Sequence, residues 1–450
     1  MALSGKLLEW YRSSAIREAV LSWYPFDPSA CCLDLSAGML HGLLSQRLAE
    51  VHTAPLPGIR YDYLVVLDPP DLSNEVLAHL HAAASDRGKL LVAYENPFAL
   101  RYWAGHTAPG TGRPYDTLFG RGESPLPGKA ELAARLARAG FAAAKWYYPL
   151  ADHWLTTEVY SDTFLPNEFY NQRLVPYLDD DEGRCFDERG LYREIVRGGA
   201  FEFMCGAYLV EARVCADDAP CAVEYAAVTA YREPRKRFAT TLCDDGTAVK
   251  APLHPDGVAT IGRIAKNHDE LRSLGLQVVE GEVVNGTLVM PRVGLPTLYD
   301  YWAMRLAVGR LSATEVTVAF DRIRDDIYRA AQNGTCYWEL VPANCFYDAD
   351  KDALIYFDQE YCTKGISPDL ALARAVSGLR YSPAFAEVPW AQGLYESLVE
   401  RYGLQDGRDM IRELAELDTY SEVFGDEHRL MQDLTRKHAA RIGQRREAAV

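Results

Sequence analysis

The chain has 450 residues, 48% of them hydrophobic and 24% charged; this exceeds the roughly 250–300 residues at which single cores stop growing, so at least two domains are expected and a mainly disordered or fibrous protein is excluded. The 47 basic and 63 acidic side chains leave a net charge of −16, which repels a polyanion and disfavours nucleic-acid binding. No run of about 18 apolar residues could span a bilayer, and the first residues lack the apolar stretch of a signal peptide, so a cytoplasmic protein with no transmembrane segment is expected.

In chain order, Ala30–Leu35 reads as a short strand, Met39–Val51 as a helix and Tyr61–Leu67 (YDYLVVL) as an apolar strand. A helix pattern over Leu72–Ser85 leads into a strand at Lys89–Tyr94, and the helix Lys129–Ala139 precedes the strand Phe141–Tyr148. Apolar strands separated by helices imply a parallel sheet covered on both faces. A charged stretch, Asp179–Glu188, follows. Strand patterns then crowd together at Phe201–Val214, Cys221–Thr229, Phe238–Leu242 and Ala248–Ala251, the last two joined by the turn Asp244-Asp245-Gly246. Helices dominate from Leu298, apart from a strand pair near Cys345–Phe357. Strands first and helices afterwards suggest an α+β unit with two lobes.

The ten cysteines are scattered, Cys31 and Cys32 are adjacent, and no C-x-x-C pair repeats at metal spacing. Neither a disulfide framework nor a zinc site is indicated. The histidines, His268 among them, show no H-E-x-x-H pairing and take ordinary surface or core roles.

Two constellations carry chemistry. The first strand-to-helix turn runs Leu33-Asp34-Leu35-Ser36-Ala37-Gly38-Met39-Leu40. Set against the acidic-x-G-x-G-x-G turn of class I methyltransferases, it places Asp34 at the acid and Ser36, Gly38 and Leu40 at the glycines. A Cβ where backbone should face the ligand removes room and positive-φ freedom, which argues against tight S-adenosylmethionine binding. Only about nine residues, His52–Arg60, separate the first helix from the next strand, so part of such a fold is missing. Asp68-Pro69-Pro70 lacks the aromatic of the amino-methyltransferase signature and reads as a strand-end turn.

The second constellation lies in YWELVPANCFYDADKDALIYFDQEY (Tyr337–Tyr361). Glu339, Pro342 and Asn344 match the D-x-x-P-x-N part of a kinase catalytic loop, with an acid to accept the hydroxyl proton and an asparagine to bind metal. Asp358, preceded by the apolar LIYF, stands where the metal-binding aspartate of the D-F-G position belongs, and Lys250 stands where a strand lysine meets the α- and β-phosphates. For the partner of that lysine, Asp269 and Glu270 both lie on Gly257–Leu274, with Glu270 preferred. Leu288–Val293, Met290 within it, would connect the lobes and offer backbone groups to adenine. The segment Tyr231–Phe238 replaces a glycine-rich flap, and Arg235, Lys236 and Arg237 would cover phosphates by charge or form a solvated basic turn.

ENPFALRYWAG (Glu95–Gly105), YDTLFG (Tyr115–Gly120) and GFAAAKWYYPLADHWLTTEVYSDTFLP (Gly140–Pro166) resemble the methyltransferase half of bacterial bifunctional methyltransferase/kinase proteins, a group that includes O-antigen chain-terminating enzymes. The segments around Lys250, Pro342-Ala343-Asn344 and Phe357–Glu360 resemble the kinase half. The resemblance implies a Rossmann-like class I methyltransferase-type domain over 1–195, here degenerate, and a bilobal protein-kinase-like domain over 196–400. Residues 401–450 are expected to form a helical tail.

The expected function is an ATP- and Mg²⁺-dependent phosphotransferase. Glu339 would orient or deprotonate the acceptor as the catalytic base, Asn344 and Asp358 would be the metal ligands, and Lys250, Glu270 and Met290 would serve ATP. The resemblance implies a saccharide or glycan hydroxyl as acceptor. One alternative keeps methylation alive, with Asp34, Ser36 and Gly38 at S-adenosylmethionine; another is a non-catalytic scaffold for glycan assembly. The basic tail helix, Arg429–Arg446, would pack on the kinase lobe, bind a partner or a second copy, or lie on a membrane surface.

Overall fold

The computed structural model describes residues 14–107, 113–120, 126–167, 189–381, 385 and 388–404. The basic tail helix and the charged stretch Asp179–Glu188 lie outside the described residues. The described chain forms two units. One holds the residues up to Tyr231 with Arg237–Asp245, and the other holds Arg232–Lys236 and the residues from Gly246 onward.

The first unit contains, in chain order, α1 (Ser14–Ser22), β1 (Cys31–Leu35), α2 (His41–Arg47), β2 (Glu50–His52), β3 (Tyr61–Leu67), α3 (Asn74–Ala83), β4 (Ala84–Glu95), α4 (Leu100–Trp103) and α5 (Lys129–Ala139). These are followed by β5 (Ala143–Ala151), β6 (Thr156–Ser161), α6 (Arg189–Arg197), α7 (Phe201–Met204), β7 (Ala207–Arg213), β8 (Val223–Val228) and β9 (Phe238–Cys243). Its strands lie in the order β2-β1-β3-β4-β7-β5-β6-β8-β9. The neighbours β2, β1, β3 and β4 are parallel, whereas β7 runs antiparallel to both β4 and β5. The sheet is therefore mixed. In β3 every residue but Asp62 is buried, as a strand covered on both faces requires. On α5, Leu132 and Leu136 are buried one turn apart. The helix stops at Gly140, whose φ of +104° suits glycine and where a Cβ would come within 3.0 Å of His81 Nε2.

The segments that carry the sequence resemblance hold this unit together. Asp162, from YSD, accepts hydrogen bonds from Tyr148 Oη of YYPL (2.6 Å), Lys129 Nζ (2.9 Å) and the Trp146 N–H (3.1 Å). The buried Asn96, from ENPF, donates from Nδ2 to the Phe203 and Cys205 carbonyls. Both side chains satisfy backbone or buried polar groups, a structural role.

Three sequence expectations change here. The helix expected over Met39–Val51 ends at Arg47, because Glu50–His52 pairs with β1 as an edge strand. The strand expected over Phe201–Val214 starts with the helical turn α7. Residues 196–231, read with the second domain, lie in the first unit, because β7 inserts between β4 and β5. Reversed strands next to parallel ones carry no local sequence mark, so this insertion is a tertiary choice.

The second unit contains β10 (Thr247–Pro252), α8 (Val258–Ser273), β11 (Glu282–Val284), β12 (Thr287–Pro291), α9 (Leu298–Ala307) and α10 (Ala313–Ala330). Then come β13 (Thr335–Tyr337), β14 (Cys345–Asp348), β15 (Ala353–Tyr356), β16 (Cys362–Lys364), α11 (Pro368–Tyr381) and α12 (Pro389–Arg401). β12 pairs antiparallel with β10 on one side and β11 on the other; β14 pairs with β15 and β13 with β16. Helix α10 opens on a capping box, Ser312 with Glu315. Its buried stripe of Val316, Phe320, Ile323 and Ile327 packs in a core with Trp302, Leu372 and Leu398. Among the described residues no helix is long and apolar enough to cross a membrane.

Candidate functional site

The β14–β15 hairpin does the first positioning. Its register pairs Cys345 with Tyr356, so the residues flanking its mouth, Asn344 and Phe357, face each other, and the Phe357 N–H donates to the Asn344 carbonyl at 3.0 Å. Asp358 follows directly. Its φ is +52°, a left-handed conformation that costs a non-glycine residue energy and that collects at functional sites.

Lys250, on β10 opposite Leu288 of β12, is buried, and its ammonium donates to Asp358 Oδ1. Burial works against the charge on each. For the lysine, the Asp358, Glu360 and Glu339 carboxylates overcome it and raise the ammonium above its ordinary value. For Asp358, the Lys250 ammonium overcomes it and holds the carboxyl below the usual range. The pair is locked in its charged form.

Glu339 is buried, and its charge acts on both members of this pair. Its Oε2 accepts the Glu360 N–H at 2.7 Å, and its Oε1 lies 3.8 Å from Arg374 Nη2. Burial pushes its carboxyl up to about 7; Arg374 opposes this, and the neighbouring Asp358 and Glu360 charges add to it. Gln359 Nε2 donates to the Glu339 carbonyl at 2.8 Å. The buried Glu360 accepts from Tyr361 Oη at 2.8 Å.

Helix α8 contributes residues that the sequence reading missed. Its buried stripe includes Ile264, Asn267, His268 and Leu271, spaced for one helical face. Asn267 Nδ2 donates to the Gln359 carbonyl at 2.8 Å, and His268 Nε2 accepts the Gln359 N–H at 3.4 Å. Burial pushes the His268 imidazole down to about 4. Glu270 lies off that stripe. Its carboxylate accepts from Tyr337 Oη at 2.8 Å and pairs with Lys266 at 3.6 Å, while Lys250 pairs with Asp358. Met290, expected in a connection between lobes, sits in the β12 ladder opposite Ala248; the connection to α9 runs through residues 292–297.

The basic segment 232–236 also reaches this cluster. Arg232 Nη2 donates to Tyr361 Oη at 2.6 Å, and its Nη1 lies 3.5 Å from Glu360 Oε2. The buried Lys236 pairs with Glu233 at 2.7 Å and places its Nζ 5.4 Å from the centre of the Tyr361 ring. Arg235 is exposed and pairs with Glu233 at 3.1 Å. Arg232 carried no signal beyond membership of a basic run.

In the first unit, the turn after β1 closes on itself. Asp34 Oδ1 accepts the Ser36 N–H at 2.9 Å and the Ser36 hydroxyl at 2.5 Å, and Ser36 Oγ accepts the Leu40 N–H at 2.9 Å. Asp34 Oδ2 faces His41 Nδ1 at 3.4 Å. Gly38 takes φ +81°, and even Ala37 takes +53°. The Asp34 and Ser36 side chains thus take two backbone donors of the turn, the Ser36 and Leu40 N–H groups.

The residues at the mouth of the hairpin are of the type that a hard cation takes. Asp358 and Asn344 are oxygen donors, Asp358 is only half-buried, and Mg²⁺ is commonly held by one or two carboxylates with substrate phosphates completing its shell.

No family model matches the sequence, and no curated protein matches it at a significant level. Among solved structures, the chain is similar to a single-mutant form of the kinase domain of Mycobacterium tuberculosis PknI, with 15% identity, 38% of this chain and 92% of that one covered, and a TM-score of 0.25. A double mutant of the same domain gives 15% identity, 48% and 96% coverage and a TM-score of 0.27. Macrolide 2'-phosphotransferase MphH from Brachybacterium faecium gives 14% identity, 44% and 88% coverage and a TM-score of 0.22. Scores this low do not establish a shared fold, and the site stands on its own geometry.

Proposed function

We propose that the second unit is a kinase-like phosphotransferase that uses ATP and Mg²⁺ to phosphorylate a hydroxyl. The observation that carries the reading is the convergence of Lys250 and Asp358 beside Asn344, with the buried Glu339 bonded to the N–H of Glu360, two residues beyond Asp358. Phosphoryl transfer asks a protein mainly to position groups and neutralise charge. Lys250 would anchor phosphates, and Asp358 with Asn344 would hold Mg²⁺, which when bound neutralises phosphate charge. Glu339, held near neutrality, would orient the acceptor or take its proton, since a base works best when its pKa lies near the working pH. Arg232 and Lys236 would add positive charge over the phosphates.

The resemblance to bifunctional methyltransferase/kinase proteins supports a saccharide or glycan acceptor. The self-closed turn at Ser36 supports a methyltransferase-like first unit that has lost S-adenosylmethionine binding. A second reading, a non-catalytic scaffold, draws on the same cluster: with Lys250 on Asp358 and Arg232 on Glu360, its charges already neutralise one another.

Titration calorimetry of the purified chain with ATP and Mg²⁺ separates these readings. Magnesium-dependent binding that is lost in Asp358→Ala supports the phosphotransferase. Binding unchanged by that substitution overturns the assignment, and no binding by the unsubstituted chain favours the scaffold.

A further inference from the structure

We propose that Cys31, Glu50 and His52 form a zinc site on the edge of the first unit's sheet, binding one Zn²⁺ per chain and clamping β2 to β1. The register pairs Cys31 directly with Glu50, and His52, two residues beyond Glu50, points to the same face because side chains alternate along a strand. One donor atom from each of the three residues lies within 4.8 Å of the other two. His52 Nε2 is 2.8 Å from Glu50 Oε1, so a small spreading of the side chains admits an ion.

The donor chemistry selects the metal. A thiolate, an imidazole and a carboxylate suit borderline-soft Zn²⁺, whereas Mg²⁺ and Ca²⁺ favour shells made of oxygen. Three protein ligands leave the fourth tetrahedral position for water, and the exposure of Glu50 lets water reach it. The outer partner of the imidazole is present as well. His52 Nδ1 lies 3.2 Å from Tyr61 Oη, and that buried hydroxyl accepts the Leu56 N–H at 3.0 Å. Donation from His52 Nδ1–H to Tyr61 leaves the Nε2 lone pair facing Cys31 and Glu50, as a metal-bound histidine requires. On binding, the Cys31 thiol gives its proton to solvent as the sulfur–zinc bond forms.

Such a site has a structural purpose. Strand β2 has three residues, at the short end of strand lengths in globular proteins, so a metal tie between the strands would add to its backbone pairing. Its ligands come from two strands, so they form none of the short motifs by which zinc sites are read in sequence.

The test is a Co²⁺ titration of the reduced, full-length chain, followed by its sulfur-to-cobalt charge-transfer absorption and by displacement with Zn²⁺. One equivalent should bind, Zn²⁺ should raise the thermal midpoint, and Cys31→Ser should abolish the absorption. Tyr61→Phe should weaken binding by about 10–100-fold, the usual effect of losing an outer-shell partner. No charge-transfer band in the unsubstituted chain, or a band that survives Cys31→Ser, overturns the site. Should Cys31→Ser fail to fold, Glu50→Gln at the exposed ligand decides: affinity lowered by about tenfold or more supports the site, and unchanged affinity overturns it. None of these readouts depends on ATP.

Discussion

At the end of β1, Asp34, Ser36 and Leu40 are close neighbours in sequence and use their polar groups on one another. At the mouth of the β14–β15 hairpin, Lys250 and Asp358 come from 108 positions apart, and each carries a charge that burial opposes. In the first turn, local bonds take the Ser36 and Leu40 N–H groups and one oxygen of Asp34. The second cluster is held by the surrounding fold, keeps Asp358 in a strained conformation and accumulates charge that a nucleotide and a cation could engage. A glycine-poor turn and a strained aspartate thus read in opposite directions.

The contrast can be broken in three places. Lys250→Met removes the cation from among Asp358, Glu339 and Glu360. Removing one partner from a fully buried ion pair costs about 3–5 kcal/mol, and because Asp358 is only half-buried a loss of about 2–3 kcal/mol is expected in denaturant unfolding. A loss below about 0.5 kcal/mol would place the pair in solvent and dissolve the contrast.

Glu339→Gln keeps an acceptor for the Glu360 N–H and removes the titration. The folded state raises the Glu339 carboxyl from near 4 to about 7, so the folded protein holds a proton that the unfolded chain releases. That contribution is fully present below about pH 4 and is lost as the pH rises towards 7. Relative to Glu339→Gln, the unsubstituted protein should therefore lose about 2 kcal/mol of stability between pH 4 and pH 7. Parallel stability curves for the two proteins would show Glu339 to be solvated.

The smallest effect belongs to the turn. Ser36→Ala removes the acceptor of the Leu40 N–H and should cost about 1 kcal/mol in thermal or denaturant unfolding. S-adenosylmethionine should leave the thermal midpoint of the unsubstituted chain unmoved, because a ligand that binds only the folded state would raise it. A clear rise would reopen the turn as a cofactor site.

Some of this was legible from residues alone. The pattern of Lys129–Ala139 with Gly140 behind it marks α5 to the residue, because amphipathic spacing and a left-handed stop are local properties. Lys250, Asn344 and Asp358 carried a recognisable spacing, and the structure brings them together. Glu270 did not follow. Its choice over its neighbours depended on how α8 rolls against the 358–361 segment, and packing turned Asn267 and His268 inward instead. The edge strand at Glu50–His52 overlapped the end of a helix pattern, since three residues are too few to show a period of two.

Composition and periodicity were sufficient for two units, for apolar strands interleaved with helices in the first, and for a charged set in the second, because burial preference and side-chain spacing act over neighbouring residues. Tertiary structure alone decided that β7 runs against β4 and β5, that Lys250 takes Asp358 as its partner, and that Cys31 meets Glu50 and His52. Each depends on strand register or helix rotation, and the chain fixes those only when distant segments compete for the same core.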